Sequence, residues 1–238
     1  MGIRKKRLSE QERRRFGQQK AKRVPRQVVC RILIVCEGTK TEPNYFRAFN
    51  KKSHQSVVYD LEIHGEGVNT RQVVDKAIEL RDKNPNTFDR VWAVFDKDDF
   101  SDHDFNAAIQ KAEGNQINCA WSNESFELWY LYHFKNVTTS IPREEFYQRI
   151  SVSVNESPLY KKKKTYSYKK GDPENHKIMN TYGSEVDAIR WAEAKSQTYE
   201  DRRYAQHNPC TMVFKLVRQL EGLDDELNAS VVQKMENG

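Results

Sequence analysis

Val28-Val29-Cys30-Arg31-Ile32-Leu33-Ile34-Val35-Cys36 is followed at once by Glu37-Gly38-Thr39-Lys40. The first nine residues are apolar except for Arg31 and rich in β-branched side chains. They are too few to span a membrane and too continuously apolar for a strand with one wet face, so they predict a strand inside a parallel sheet. The switch to Glu-Gly marks the strand's carboxyl end. Directly after it, Glu42 to Asn50 carries Tyr45, Phe46 and Phe49 at helical spacing. The opening unit is therefore strand, loop, helix.

Working outward, the alternation repeats. Val57 to Ile63 predicts a second strand, Gly65 and Gly67 a loop, and Thr70 to Lys83 a helix with Val73, Val74, Ala77, Ile78 and Leu80 on its apolar side. Asn84-Pro85-Asn86 stops that helix. Arg90 to Asp96 predicts a third strand, Asp102 to Glu113 a helix, Gln116 to Trp121 a fourth strand and Ser125 to Phe134 a helix. Strands alternating with helices give an α/β fold, a parallel sheet flanked by helices. Past residue 136 the alternation fades. Pro142 to Ile150 reads as helix, Tyr160 to Gly171 as a lysine-rich loop punctuated by tyrosines, and Ser184 as the cap of a helix through Ala194. Thr211 to Leu220 places Met212, Val213, Leu216, Val217 and Leu220 on one stripe, which predicts packing on the sheet. The expected organisation is a basic arm over 1–26, a catalytic domain over 27–135, and a helical and loop elaboration over 136–238 packed on the sheet.

Composition narrows the function. A chain of 238 residues that is 37% hydrophobic and 31% charged can bury a core while keeping a polar surface. With no long apolar run and no apolar segment behind the basic amino terminus, it is expected to stay in the cytoplasm, away from membranes. Cys30, Cys36, Cys119 and Cys210 include no CxxC pair, and the six histidines show no HExxH spacing, so free thiols are expected and zinc is not. The formal charge of +6 is unevenly spread. Residues 1 to 26 hold 11 Lys or Arg against Glu10 and Glu12, a surplus of nine, which leaves the rest of the chain at about −3.

In an open parallel sheet, ligands bind beyond the carboxyl ends of the strands. Acids gather there: Glu37 follows the first strand, and Asp96, Asp98 and Asp99 close the third. If strands one and three are neighbours these carboxylates meet, and Asp96 and Asp98 share a side as long as the extended conformation persists. Oxygen ligands without histidine or thiolate suit Mg²⁺ or Mn²⁺, which keep several waters and fill remaining positions with phosphate oxygens. The pattern points to phosphoryl transfer, with Gly38 allowing close backbone approach and Lys40 and Lys97 offsetting charge on the transferred group. Taken singly, each acid is as readily a loop or helix cap; the combination carries the reading.

Residues 32 to 42, Ile-Leu-Ile-Val-Cys-Glu-Gly-Thr-Lys-Thr-Glu, and 94 to 99, Val-Phe-Asp-Lys-Asp-Asp, resemble the Glu and Asp-x-Asp motifs of Toprim domains, which topoisomerases, DnaG-type primases and OLD-family nucleases share. More narrowly, Asn123-Glu124-Ser125-Phe126-Glu127-Leu128-Trp129, His133-Phe134 and Asn208-Pro209-Cys210-Thr211 resemble RloB-like proteins of bacterial defence loci. The resemblance covers roughly residues 28 to 220. It departs at Glu124, where relatives are expected to carry proline. By this likeness Asp96 and Asp98 bind the metal, Glu37 acts as acid or base or shares the metal, and Asp99 or Glu127 supplies a further ligand; Glu127 also has the plainer reading of a helix residue paired with a nearby cation. The resemblance implies a metal-dependent nuclease acting on DNA or RNA, tRNA among the candidates, in antiphage defence. It also implies an ATPase partner; this sequence contains no GxxxxGK[ST] loop, so any nucleotide-driven switching is expected from another chain.

Two basic segments are candidate nucleic-acid contacts: the arm, with Arg13, Arg14 and Arg15, and the run Lys161, Lys162, Lys163 and Lys164 among tyrosines. Both also read as solvated charge. Two other functional classes stay open at this level: a non-cleaving nucleic-acid-binding or partner-docking module, and a small phosphotransferase or phosphatase, for which the basic arm has no obvious use.

Overall fold

In the computed structural model, which describes residues 28–54, 57–67 and 70–236, the decisive stretch is β1, Val28–Cys36. It is followed by α1 (Thr41–Arg47), β2 (Ser53–His54), β3 (Val57–Gly65), α2 (Thr70–Lys83), β4 (Arg90–Asp96), α3 (Asp102–Gly114), β5 (Asn118–Asn123) and α4 (Glu127–Tyr132). A 3-10 turn (Arg143–Glu145) leads into α5 (Phe146–Glu156), then come α6 (Asn175–Tyr182), α7 (Glu185–Ser196), β6 (Cys210–Thr211), α8 (Val213–Leu220) and α9 (Asp225–Glu236). The arm over 1–26, with Arg13, Arg14 and Arg15, lies outside the described residues.

The sheet order is β2-β3-β1-β4-β5-β6. Its middle four strands run parallel, and the two-residue strands at either edge run antiparallel. The expected α/β architecture is thus realised, with β1 in the interior between β3 and β4. Because successive strand residues face opposite sides, β1 feeds two cores. Leu33 and Val35 pack with Val73, Val74 and Ala77 of α2 and Phe105, Ala108 and Ile109 of α3. Cys30, Ile32, Ile34 and Cys36 pack on the other face with α1, α4 and the helices after residue 135. Arg31, the one interruption, is exposed, and its backbone N–H donates to Asp89.

The helix starts follow local chemistry. Ser101 Oγ accepts from Asp104 N at the start of α3, and Ser184 Oγ accepts from Asp187 N at the start of α7, as the capping reading of Ser184 expects. Sequence periodicity gave no sign of α6, β6 or α9. Thr211 belongs to β6 rather than to the helix expected from it, because Ser122 and Asn123 of β5 pair with Thr211 and Cys210. None of the four cysteines is in a disulfide. The peptide bonds Asn123–Glu124 and Asn208–Pro209 are cis. Among the described residues no helix is long and apolar enough to cross a membrane.

Candidate metal centre

β1 and β4 are in register with Cys36 opposite Val94, and the pairing continues past β1 as Glu37 N donates to the Val94 carbonyl at 2.9 Å. This places Glu37 beside the end of β4, where its Oε2 accepts the backbone N–H of Asp96 at 3.1 Å. Two further acids join them. Glu42 lies in the first turn of α1 and Glu127 opens α4; both are buried, at 6% and 1% exposure. Gly38 is what admits Glu42, since a side chain there would collide with the Glu42 carboxylate.

The electrostatics follow from burial and crowding. Burial, reinforced by the charge of Glu42, pushes the Glu37 carboxyl up to about 7, against hydrogen bonding from Asp96 and the opposing charges of Arg143 and Lys170. Burial and the charge of Glu127 push Glu42 up to about 7. Asp96 is held well above the usual carboxylate range by burial and by Glu42, Glu127 and Glu37, with the Phe126 backbone N–H opposing. These acids are short of positive charge, which is the condition a divalent cation relieves.

The other sequence-predicted residues lie in different settings. Strand geometry ends at Asp96; Asp98 has φ +43°, so the alternation that would align it with Asp96 is broken, and it forms an ion pair with Arg143. Asp99 is exposed. Lys97 donates to the Phe100 carbonyl and lies 3.4 Å from Asp102, engaged in its own loop. Exposed Lys40 packs its stem against Gly171, whose φ of +71° and lack of a Cβ allow the approach. Lys161, Lys162, Lys163 and Lys164 are exposed, with Lys162 over the rings of Tyr160 and Tyr182.

The lysine-rich loop reaches the acids by its other end. Tyr168 is buried and donates to Glu127 Oε1 at 3.0 Å, and Asn44 Nδ2 donates to the Gly171 carbonyl at 2.9 Å. Sequence reasoning did not single out Glu42, Arg143, Tyr168 or Lys170 for the acidic centre. Glu42 sits in the quoted Glu-Gly-Thr-Lys-Thr-Glu stretch, where an acid in a helix's first turn is explained by the dipole alone. Arg143 has no local signal.

Among the described residues no three of these side chains converge in an arrangement that would itself hold a metal ion. Mg²⁺ does not need one: it retains waters and takes one or two direct carboxylates. Buried oxygen donors short of positive charge fit that ion. Two clefts of about 730 and 750 Å³ share Arg90 and Asn118, at the amino ends of β4 and β5, and none of the clustered acids lines either.

A family model described as RloB-like protein matches residues 32–220. No curated protein and no solved structure matches the chain.

Proposed function

Because the chain belongs to the RloB-like family, we propose that it is a Toprim-type, Mg²⁺- or Mn²⁺-dependent nuclease that hydrolyses phosphodiester bonds of DNA or RNA in bacterial antiphage defence under an ATPase partner. The observation that carries this reading is the cluster Glu37, Glu42, Asp96 and Glu127 at the carboxyl ends of neighbouring parallel strands, in which burial and mutual charge hold Glu37, Glu42 and Asp96 above ordinary carboxylate values.

Asp96 would be the first ligand on this reading, with Glu127 and Glu42 behind it and Glu37 beside it as the base. A Mg²⁺ or Mn²⁺ ion held there would supply positive charge to the phosphoryl oxygens. Glu37, poised near neutrality, takes the proton of the attacking water as the new P–O bond forms, and the leaving sugar oxygen takes a proton from solvent as its bond to phosphorus breaks. Tyr168 fixes the Glu127 carboxylate from behind.

The test is incubation of the purified protein with labelled tRNA, single-stranded DNA and plasmid in Mg²⁺, Mn²⁺ or EDTA, beside Glu37→Gln and alone or with the coexpressed partner. Metal-dependent cleavage lost in the variant is the expected result. Absence of cleavage with the partner present would replace the nuclease with a binding or docking module.

A further inference from the structure

The site is layered. Its floor is acidic and buried, formed by Glu42, Asp96 and Glu127. At the rim, both cations come from the part of the chain after residue 135. Arg143, in the turn before α5, pairs with Asp98, and its side chain is 39% exposed. Lys170 is exposed, lies within charge range of Glu37 and Glu42, and contacts the Tyr147 hydroxyl.

Neither cation is loosely tethered. Arg143 directly precedes α5, which buries Phe146 and Ile150. Lys170 sits between buried Tyr168, whose backbone N–H donates to Ser151 of α5 at 2.8 Å, and Gly171, fixed to Asn44 and packed on Lys40. Tyr147 and Tyr168 stack obliquely at 5.1 Å and join the two supports.

We propose that Arg143 and Lys170 form a two-cation clamp for the phosphodiester backbone on either side of the bond over the acidic floor. The inference rests on the nuclease reading. A polyanion approaching a floor of carboxylates is repelled unless cations stand between them, and Arg143 and Lys170 are rigidly supported at the solvent boundary where that charge is needed. The guanidinium of Arg143 suits two phosphate oxygens at once, while Lys170 acts as a point charge. The competing role is structural: the two cations merely neutralise the acids.

Fluorescence anisotropy of fluorescein-labelled oligo(dT) and oligo(U) in EDTA separates these roles, measured against salt for the wild type, Arg143→Ala, Lys170→Ala, the double variant and Arg143→Lys. A clamp predicts that each alanine lowers the slope of log K against log salt by about 0.7, that the double lowers it by about twice as much, and that Arg143→Lys keeps it. Slopes unchanged in variants that bind and whose melting midpoint falls would overturn the clamp alone and leave two structural counterions. No binding of either oligonucleotide by the wild type would overturn the clamp, and the cleavage test with the partner present would still decide the nuclease reading separately.

Discussion

At the scale of single residues, the arrangement ranks the acids differently from the sequence. Glu37→Gln and Asp96→Asn are each expected to lower metal-dependent cleavage, by about a hundredfold or more for Glu37, while the melting curve persists; full activity in both would sink the nuclease site. Asp99→Asn, at an exposed position, should leave cleavage near wild type, whereas Glu42→Gln should not. Glu42 also makes a prediction that needs no substrate. Unfolded, it ionises around its ordinary value of 4.5; folded, it keeps its proton to about 7, so it costs the native state stability as pH rises through that window. His133 and His176, lowered by burial from 6.5 to about 4, act oppositely and cost stability as pH falls through their window. The whole-protein profile mixes both, but the difference between Glu42→Gln and wild type removes the histidines and reports Glu42 together with the upward push it exerts on Glu37 and Asp96. In EDTA the variant's melting advantage should grow from about pH 5 to about pH 7.5, and a flat difference would remove Glu42 from the buried cluster. Glu37 and Asp96 were legible because strand ends can be read from sequence. Arg143 was not, because its contact with Asp98 depends on a tertiary approach across 45 positions of the chain.

At the scale of elements, periodicity found the four parallel strands and the helices between them, because long runs with one or two buried faces write their period into the sequence. Two-residue strands and α6 write almost none: β6 exists because β5 offers it an edge, and the eight residues of α6 bury little beyond Asn175 and Met179. The amphipathic stripe of α8 was read correctly as packing. Leu216 and Leu220 are fully buried, and Gln219 Oε1 accepts the indole N–H of Trp92 at 2.8 Å, tying α8 to β4. Leu216→Ala is accordingly expected to cost about 2–5 kcal/mol, and Ser184→Ala, which removes the cap of α7, about 1 kcal/mol. Chemical denaturation checks both, and equal losses would contradict the different burial of the two positions.

At the scale of the whole molecule, the expected division into a catalytic domain over 27–135 and an elaboration over 136–238 meets a core that residues from both parts build together. Phe126, Leu128, Trp129 and Tyr130 of the first part share one cluster with Phe146, Ile150, Met179, Ala188, Leu216 and Leu227 of the second. Tyr59 of β3 donates through its hydroxyl to Asn228 of α9 at 2.8 Å. Cutting the chain after residue 135 would therefore leave α1 and α4 as the only cover of that face and expose those aromatic side chains to water, at roughly 1.5–3 kcal/mol for each large apolar side chain exposed. A fragment ending there is expected not to fold cooperatively, as judged by the absence of a sigmoidal denaturation curve and by fast amide exchange in β1. A cooperative, exchange-protected fragment would instead establish an independent sheet domain. Sequence patterns could not settle this, because an apolar stripe says that a face is covered and not which segment covers it. The same sharing bears on function: Tyr168 and Arg143 reach Glu127 and Asp98 only because the second part is packed down on the sheet. Substitutions that loosen that packing, such as Ile150→Ala beneath the Arg143 turn, should therefore weaken oligonucleotide binding at temperatures where β1 stays protected from exchange. Parallel loss of binding and of β1 protection would show instead that sheet and cover open as one unit.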